Sequence, residues 1–360
     1  MSRTLLLCLD GTRNEPEAGS TNVVRMYDMA VKDREQLVYY DPGVGTMGAR
    51  SATTNFGKLS TRVSGLVVGF GIKENVEEAY SWLMEHYHRG DRVHVIGFSR
   101  GAFTALALVG MLRTVGLLRP GAGNLVPYAL KLYAVKERQE LSPDEEDEFW
   151  NVRDAFNSKF GNPDWPNRFS PHQIAFLGLW DTVKTVGWLN ARARFEEVRW
   201  PFTRKIPNVD TARLALAIDE WRRPYPEYRF DKEEVAKRAG AIQEMWFPGV
   251  HSDVGGNYPD DHRLSDIALK WMTDDAVQAG LRIDRARYEA LIGVPPDTPL
   301  PTSHAIEGRV HPHSRWWWLA GGRRIRKIEH TDARHPSVDQ RIEGTAGSDE
   351  PYRPDLRRAR

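Results

Sequence analysis

The residues best placed to do chemistry lie in "VHVIGFSRGAFTALALV" (93–109), where Ser99 stands between Gly97 and Gly101 in G-x-S-x-G spacing. An apolar β-type run precedes the serine and a helix-forming run follows it. That is the context in which a strained strand-to-helix turn holds a nucleophilic hydroxyl out at the edge of a sheet. The bland alternative is a serine that merely caps the helix. A lone hydroxyl is a poor nucleophile, so the chemistry demands a base and an orienting acid at strand ends on the same edge. "AFLGLWDTV" ends an apolar run at Asp181, and "MWFPGVHSDVGG" ends the next at His251. The spacing therefore points to acyl transfer through Ser99, with His251 as general base and Asp181 as the orienting acid. Two other carboxylates compete for the acid's role. Asp253 is close enough to His251 to hold that loop through backbone N–H groups instead, and Asp10, in "LCLDGTRN", ends the first strand and opens a glycine turn. The oxyanion would be held by the Arg100 amide together with that of Gly11 or Thr12.

The elements that must position these groups alternate between strands and helices, which predicts an α/β fold with a mostly parallel sheet flanked by helices. Strands are expected at 4–9, 36–40, 92–97, 173–180 and 242–250. In "IKENVEEAYSWLMEHY", Ile72, Val76, Ala79, Tyr80, Leu83 and Tyr87 fall on one helical face. "RLSDIALKWMTDDAVQAGL" repeats the pattern with Ile267, Ala268, Trp271 and Met272 inward and Ser265 as N-cap. The sequence predicts one catalytic domain over 1–342. Two insertions, about 119–170 (with a helix capped by Ser142) and about 187–240, read as cap material over the sheet. The composition of 343–360 predicts a disordered tail.

The chain of 360 residues can bury a sizeable core. Its formal net charge of +1 offers no field for gathering nucleic acid. The single cysteine, Cys8, lies in an apolar run and excludes a disulfide framework or cysteine-rich zinc site. The N-terminal run is too short for a signal peptide and no apolar stretch reaches membrane-spanning length, so a soluble, cytoplasmic protein is expected. No cofactor or metal is called for. "HPH" at 311–313 and "DDH" at 260–262 read as accidental clusters, and "GLVVGFG" lacks the spacing of a dinucleotide loop. "YDPGVGTMGARSATTNFG" reads as a loop near the site.

In order along the chain, "LDGTRN", "TNVVRMY", "YYDPGVGT", "GFSRGAFTA", "GLWDTVKTVG", "LALAIDEWRRPY" and "FPGVHSDVGGNYP" resemble the Tle1-like phospholipase family (DUF2235) of α/β-hydrolases, over roughly 4–275. The resemblance implies acyl-ester cleavage in glycerophospholipids, and it puts the family's nucleophile on Ser99 and its histidine on His251. As an effector, such a protein would meet a secretion apparatus and an immunity protein. Other readings share these residues: a carboxylesterase or thioesterase on a soluble ester, a peptidase, or a silent α/β binding scaffold. Transient contact with a membrane surface is a further expectation. "HSRWWWLAGGRRIRK" sets Trp316, Trp317 and Trp318 beside Arg323, Arg324, Arg326 and Lys327, a mixture suited to an anionic lipid interface or, more blandly, to a packed element with a solvated face.

Overall fold

The computed structural model describes residues 2–11, 20–43, 68–136, 143–184, 198–313 and 322–354. Among the described residues, eight strands run in chain order: β1 (Thr4–Leu9), β2 (Gln36–Asp41), β3 (Arg92–Phe98), β4 (Val135–Lys136), β5 (Ile174–Trp180), β6 (Val198–Arg199), β7 (Val209–Ala217) and β8 (Ile242–Phe247). Six of them form one parallel sheet in the order β2-β1-β3-β5-β7-β8, and β4 pairs antiparallel with β6. The expected strands all appear, within a residue or two at their starts and with the last ending at Phe247. β1, β3 and β5 are buried nearly from end to end, as parallel strands covered on both faces must be.

Alternation along each strand sends side chains to two cores. Leu5, Leu7, Leu9, Val93 and Val95 face α2 (Val68–His86) and α3 (Arg100–Val115). Leu6, Cys8, Ile96, Phe98, Phe176 and Trp180 face α1 (Asn22–Met29) and the helix Arg263–Gln278. All six residues expected on that helical face are buried, the last of them, Tyr87, just past the end of α2. Each such large apolar side chain contributes about 1.5–3 kcal/mol relative to exposure. Cys8 is fully buried, and burial pushes its thiol far up, so it packs as a small inert hydrophobe. In the helix Arg263–Gln278, Ile267, Ala268 and Met272 are buried while Trp271 is half-buried. The N-cap position there falls on His262, not on Ser265, whose hydroxyl donates back to the His262 carbonyl (2.9 Å) inside the first turn.

Three segments depart from the sequence expectation. The stretch assigned to a second cap insertion contains β7, an inner strand of the sheet, flanked by β5 and β8. In the first insertion, Val126, Ala129, Leu130, Tyr133, Phe156 and Trp165 join the same core as α2 and α3, which makes this part a thickening of one helical layer. Ser142 lies outside the described residues. A helix spans Pro336–Thr345, across the start of the expected tail, and beyond it the Tyr352 hydroxyl donates to Asp219 (2.8 Å).

The register does the positioning. Leu9 pairs with Gly97, Phe98 with Trp180, Trp180 with Ala215, and Ala217 with Phe247. The residues that follow these strand ends are Asp10, Ser99, Asp181 and, after short turns, Glu220 and His251. They gather along one carboxyl edge of the sheet, next to the switch point between β1 and β3, where open α/β sheets leave their crevice.

Candidate active site

Ser99 connects β3 to α3 with φ 58° and ψ −118°, a conformation that costs an L-residue about 1–3 kcal/mol. Its amide donates to the Trp180 carbonyl (3.0 Å), and its carbonyl accepts from Val183 (3.2 Å) and Phe103 (3.3 Å). The turn is thus tied to β5 on one side and to its own helix on the other. The Ser99 side chain makes no cap hydrogen bond, so helix capping does not explain it.

The two flanking glycines have a steric reason. A Cβ on Gly101 would lie 2.1 Å from the Leu9 carbonyl oxygen and 2.5 Å from that of Asp10. One on Gly97 would lie 2.7 Å from backbone atoms of Gly101 and Ala102. The first turn of α3 can therefore approach the end of β1 only if both positions lack a side chain.

Asp181 ends β5 in a left-handed conformation (φ 39°) and is fully buried. His251, also buried, opens the short helix α4 (His251–Gly255) after β8. The His251 Nδ1–H donates to Asp181 Oδ2 at 2.6 Å. That bond fixes the tautomer and leaves Nε2 as the ring's basic atom. The imidazole packs between the rings of Phe98 and Tyr225, with centroid separations of 4.6 and 5.1 Å. Phe98 is the immediate neighbour of Ser99, so β3 carries the serine and one wall of the histidine's slot. Among the described residues no hydrogen bond joins Ser99 Oγ to His251; such contacts commonly tighten only when substrate is bound.

Charge is arranged in layers behind the imidazole. Arg326, with 1% of its side chain exposed, meets both oxygens of Asp181: Nη1 to Oδ1 at 2.5 Å and Nη2 to Oδ2 at 2.9 Å. Burial would raise the Asp181 carboxyl, but the Arg326 charge and the bond from His251 outweigh it and hold the group at about 2. Burial lowers His251 below its ordinary value, a shift that Asp181 only partly offsets, which favours the neutral ring. Glu220 lies beneath: its Oε2 accepts the His251 amide (3.3 Å), and both its oxygens receive Arg222.

The other predicted residues have different neighbours. Asp253 does not reach His251's ring. Its Oδ2 accepts the amides of Val250 (2.9 Å) and His311 (3.1 Å), and its Oδ1 meets His311 Nδ1 (2.5 Å), which is the loop-holding alternative raised by its spacing. Asp10 accepts from the Gly11 amide (2.7 Å), the Thr21 hydroxyl (2.5 Å) and the Tyr40 hydroxyl (3.1 Å). The Gly11 amide is therefore engaged by its neighbour. Thr12, the glycine-rich loop from 44 onward and Trp316–Trp318 lie outside the described residues. Of the basic run beside those tryptophans, Arg323 lies over the Trp221 ring at 5.9 Å, Arg324 approaches Glu227 at 3.6 Å, and Arg326 is buried. A lipid patch that includes Arg326 is thereby ruled out. His311 is clamped between Asp253 and Asp260, and no group of three metal-ligating side chains occurs among the described residues.

Sequence reasoning missed Arg326 and Glu220 as parts of the site. The partner of Arg326 is 145 positions away, and nothing local in "GRRIRK" separates it from its solvated neighbours.

A doubly covered parallel sheet with a strained serine turn beside a buried aspartate–histidine pair defines an α/β protein built like a hydrolase. Residues 3–275 match the model of the type VI secretion phospholipase effector Tle1-like catalytic domain, and the chain belongs to that family. It is 30% identical over 235 residues to the uncharacterized protein YEL023C of Saccharomyces cerevisiae, a match covering 63% of this chain and 33% of that protein. The chain thus spans about a third of the curated relative it matches. Among solved structures it is similar to an uncharacterized protein from Pseudomonas aeruginosa (TM-score 0.41, 19% identity, 80% of this chain and 47% of the other). It is also similar to the Tle1 effector bound to the VgrG spike (TM-score 0.37, 17% identity, 72% and 51%). No helix among the described residues is long and apolar enough to cross a membrane.

Proposed function

We propose that the protein is a serine-dependent ester hydrolase, and that its substrates are glycerophospholipids. Membership of the phospholipase effector family supports the substrate class. The observation that carries the chemistry is the 2.6 Å bond from His251 Nδ1 to Asp181, in a ring that burial keeps neutral, beside the strained turn at Ser99. In the proposed reaction Ser99 Oγ attacks the ester carbonyl carbon while its proton passes to His251 Nε2. Asp181 keeps the imidazolium oriented. The carbonyl π electrons move to oxygen, and the resulting oxyanion is held by the Arg100 amide at the start of α3 together with that of Gly11 or Thr12. Collapse breaks the bond to the alcohol, which takes the proton from His251. Water, deprotonated by the same ring, then frees the fatty acid and restores Ser99.

The test is acyl release from phosphatidylglycerol and phosphatidylethanolamine vesicles, compared with monomeric short-chain esters, in wild type and Ser99→Ala. Wild type should hydrolyse the vesicle lipids and the variant should retain less than about one part in 10³ of that turnover. Undiminished turnover in Ser99→Ala would reject the nucleophile, and turnover confined to monomeric esters would reject the lipid substrate.

A further inference from the structure

Arg326 contributes to the site from beyond the stretch matched by the family model, which ends at residue 275. Its guanidinium has four acceptors: the two oxygens of Asp181, the Ala217 carbonyl at the end of β7 (2.9 Å) and the Tyr225 carbonyl (3.0 Å). A fork with that many fixed acceptors permits one orientation of the carboxylate. Asp181 Oδ2 is shared, taking Arg326 Nη2 from one side and His251 Nδ1 from the other.

We infer that Arg326 is a positioning residue for the proposed reaction, locking the Asp181 carboxylate onto His251 and restraining the basicity of that histidine through the shared oxygen. The inference rests on the hydrolase reading above. Besides the fork, Asp181 is held by the Ala217 amide on Oδ1 (3.0 Å) and by His251 on Oδ2; the fork adds a second bond to each oxygen and so stiffens the carboxylate against rotation away from Nδ1. The guanidinium also stands no farther from the imidazole than the two bonds to Oδ2 laid end to end, close enough for a positive charge to oppose protonation of the ring. Among the described residues, the charged groups around His251 are Asp181 after β5, Glu220 and Arg222 after β7, and Arg326 behind Asp181; Tyr225 packs on the ring, and His313 Nε2 approaches Glu220 at 3.2 Å. With the ring neutral, the two carboxylates and two guanidinium groups balance, and an imidazolium adds one unmatched positive charge. Without Arg326 the neutral-ring cluster carries one excess negative charge, which an imidazolium balances.

The experiment compares wild type, Arg326→Met and Arg326→Lys by two measurements. One is the imidazole titration of His251 by NMR, assigned by its loss in His251→Gln. The other is the pH-dependent rate of Ser99 labelling by a fluorophosphonate probe. In Arg326→Met both midpoints should rise by about one pH unit or more. In Arg326→Lys, which keeps the charge and loses the fork, the midpoint should stay within about 0.3 unit while labelling slows at least about tenfold. An unmoved or lowered midpoint in the Met variant overturns the inference, as does a Lys variant that labels at the wild-type rate. If Arg326→Met does not fold, the Lys comparison decides. Should wild type fail to label at Ser99, the hydrolase reading falls and takes the positioning role with it; labelling with an unmoved midpoint removes the positioning role alone.

Discussion

Replacing Asp181 by asparagine separates the stability of the buried cluster from its chemistry. The carboxylate is fully buried and Arg326 is 1% exposed, so Asp181→Asn leaves a guanidinium in the interior without its counter-charge. Removing one member of a buried ion pair costs about 3–5 kcal/mol. Removing both, in Asp181→Asn/Arg326→Met, eliminates the stranded charge. What is then lost is chiefly the bonds from Arg326 to the carbonyls of Ala217 and Tyr225, at about 1 kcal/mol each. The double variant should therefore unfold about 1–3 kcal/mol closer to wild type than the single one does. Activity should not recover in parallel: an amide cannot hold the histidine tautomer, and both variants should label with a fluorophosphonate about 10⁴-fold more slowly than wild type. Urea unfolding followed by tryptophan fluorescence gives the first quantity and labelling kinetics the second. Asp253→Asn is the comparator, expected within about tenfold of the wild-type labelling rate because its partners are Val250 and His311. A double variant no more stable than the single would refute the stranded-charge argument, and a larger rate loss in Asp253→Asn than in Asp181→Asn would mean that the wrong acid was chosen.

Gly101→Ala should slow Ser99 labelling at least about tenfold and lower the thermal midpoint, because its Cβ would sit 2.1 Å from the Leu9 carbonyl oxygen and must push α3 off β1; a variant with wild-type labelling and melting would show that the helix start has room. The pH profile of labelling should lose its rate only below the ordinary histidine value of 6.5, since burial depresses His251. A folded-state value below the unfolded one also means that the stability His251 contributes is present above 6.5 and is lost as pH falls. Asp181, held at about 2, loses its contribution further down, between 3.8 and 2. An acid limb centred above pH 7 would contradict the depression of His251.

The serine turn was legible in the sequence because its demands are local. Gly97 and Gly101 are required by contacts within one strand-to-helix junction, and apolar runs mark where β3, β5 and β8 deliver Ser99, Asp181 and His251. β7 was hidden for a physical reason. Its sequence, "VDTARLALA", carries Asp210 and Arg213 amid a stretch rich in charge, and only the fold supplies the partners that let Arg213 be buried: Asp275 and the carbonyls of Ala212 and Ala241. Arg326 was hidden in the same way. Position in a basic run predicts a solvated face, while its actual acceptors come from β5, the end of β7 and the Tyr225 backbone. Pattern reads hydrophobic periodicity well, but a buried charge is defined by a partner far along the chain.

The late position of Arg326 also bears on biosynthesis. A growing polypeptide acquires its serine, aspartate and histidine well before residue 326 leaves the ribosome, so for that interval the interior carboxylate has no guanidinium to meet it. In the proposed reaction, proton-transfer competence is thereby tied to synthesis of the segment that carries Arg326, and a product terminated before it that still contained Ser99, Asp181 and His251 would fold, if at all, around an unbalanced negative charge.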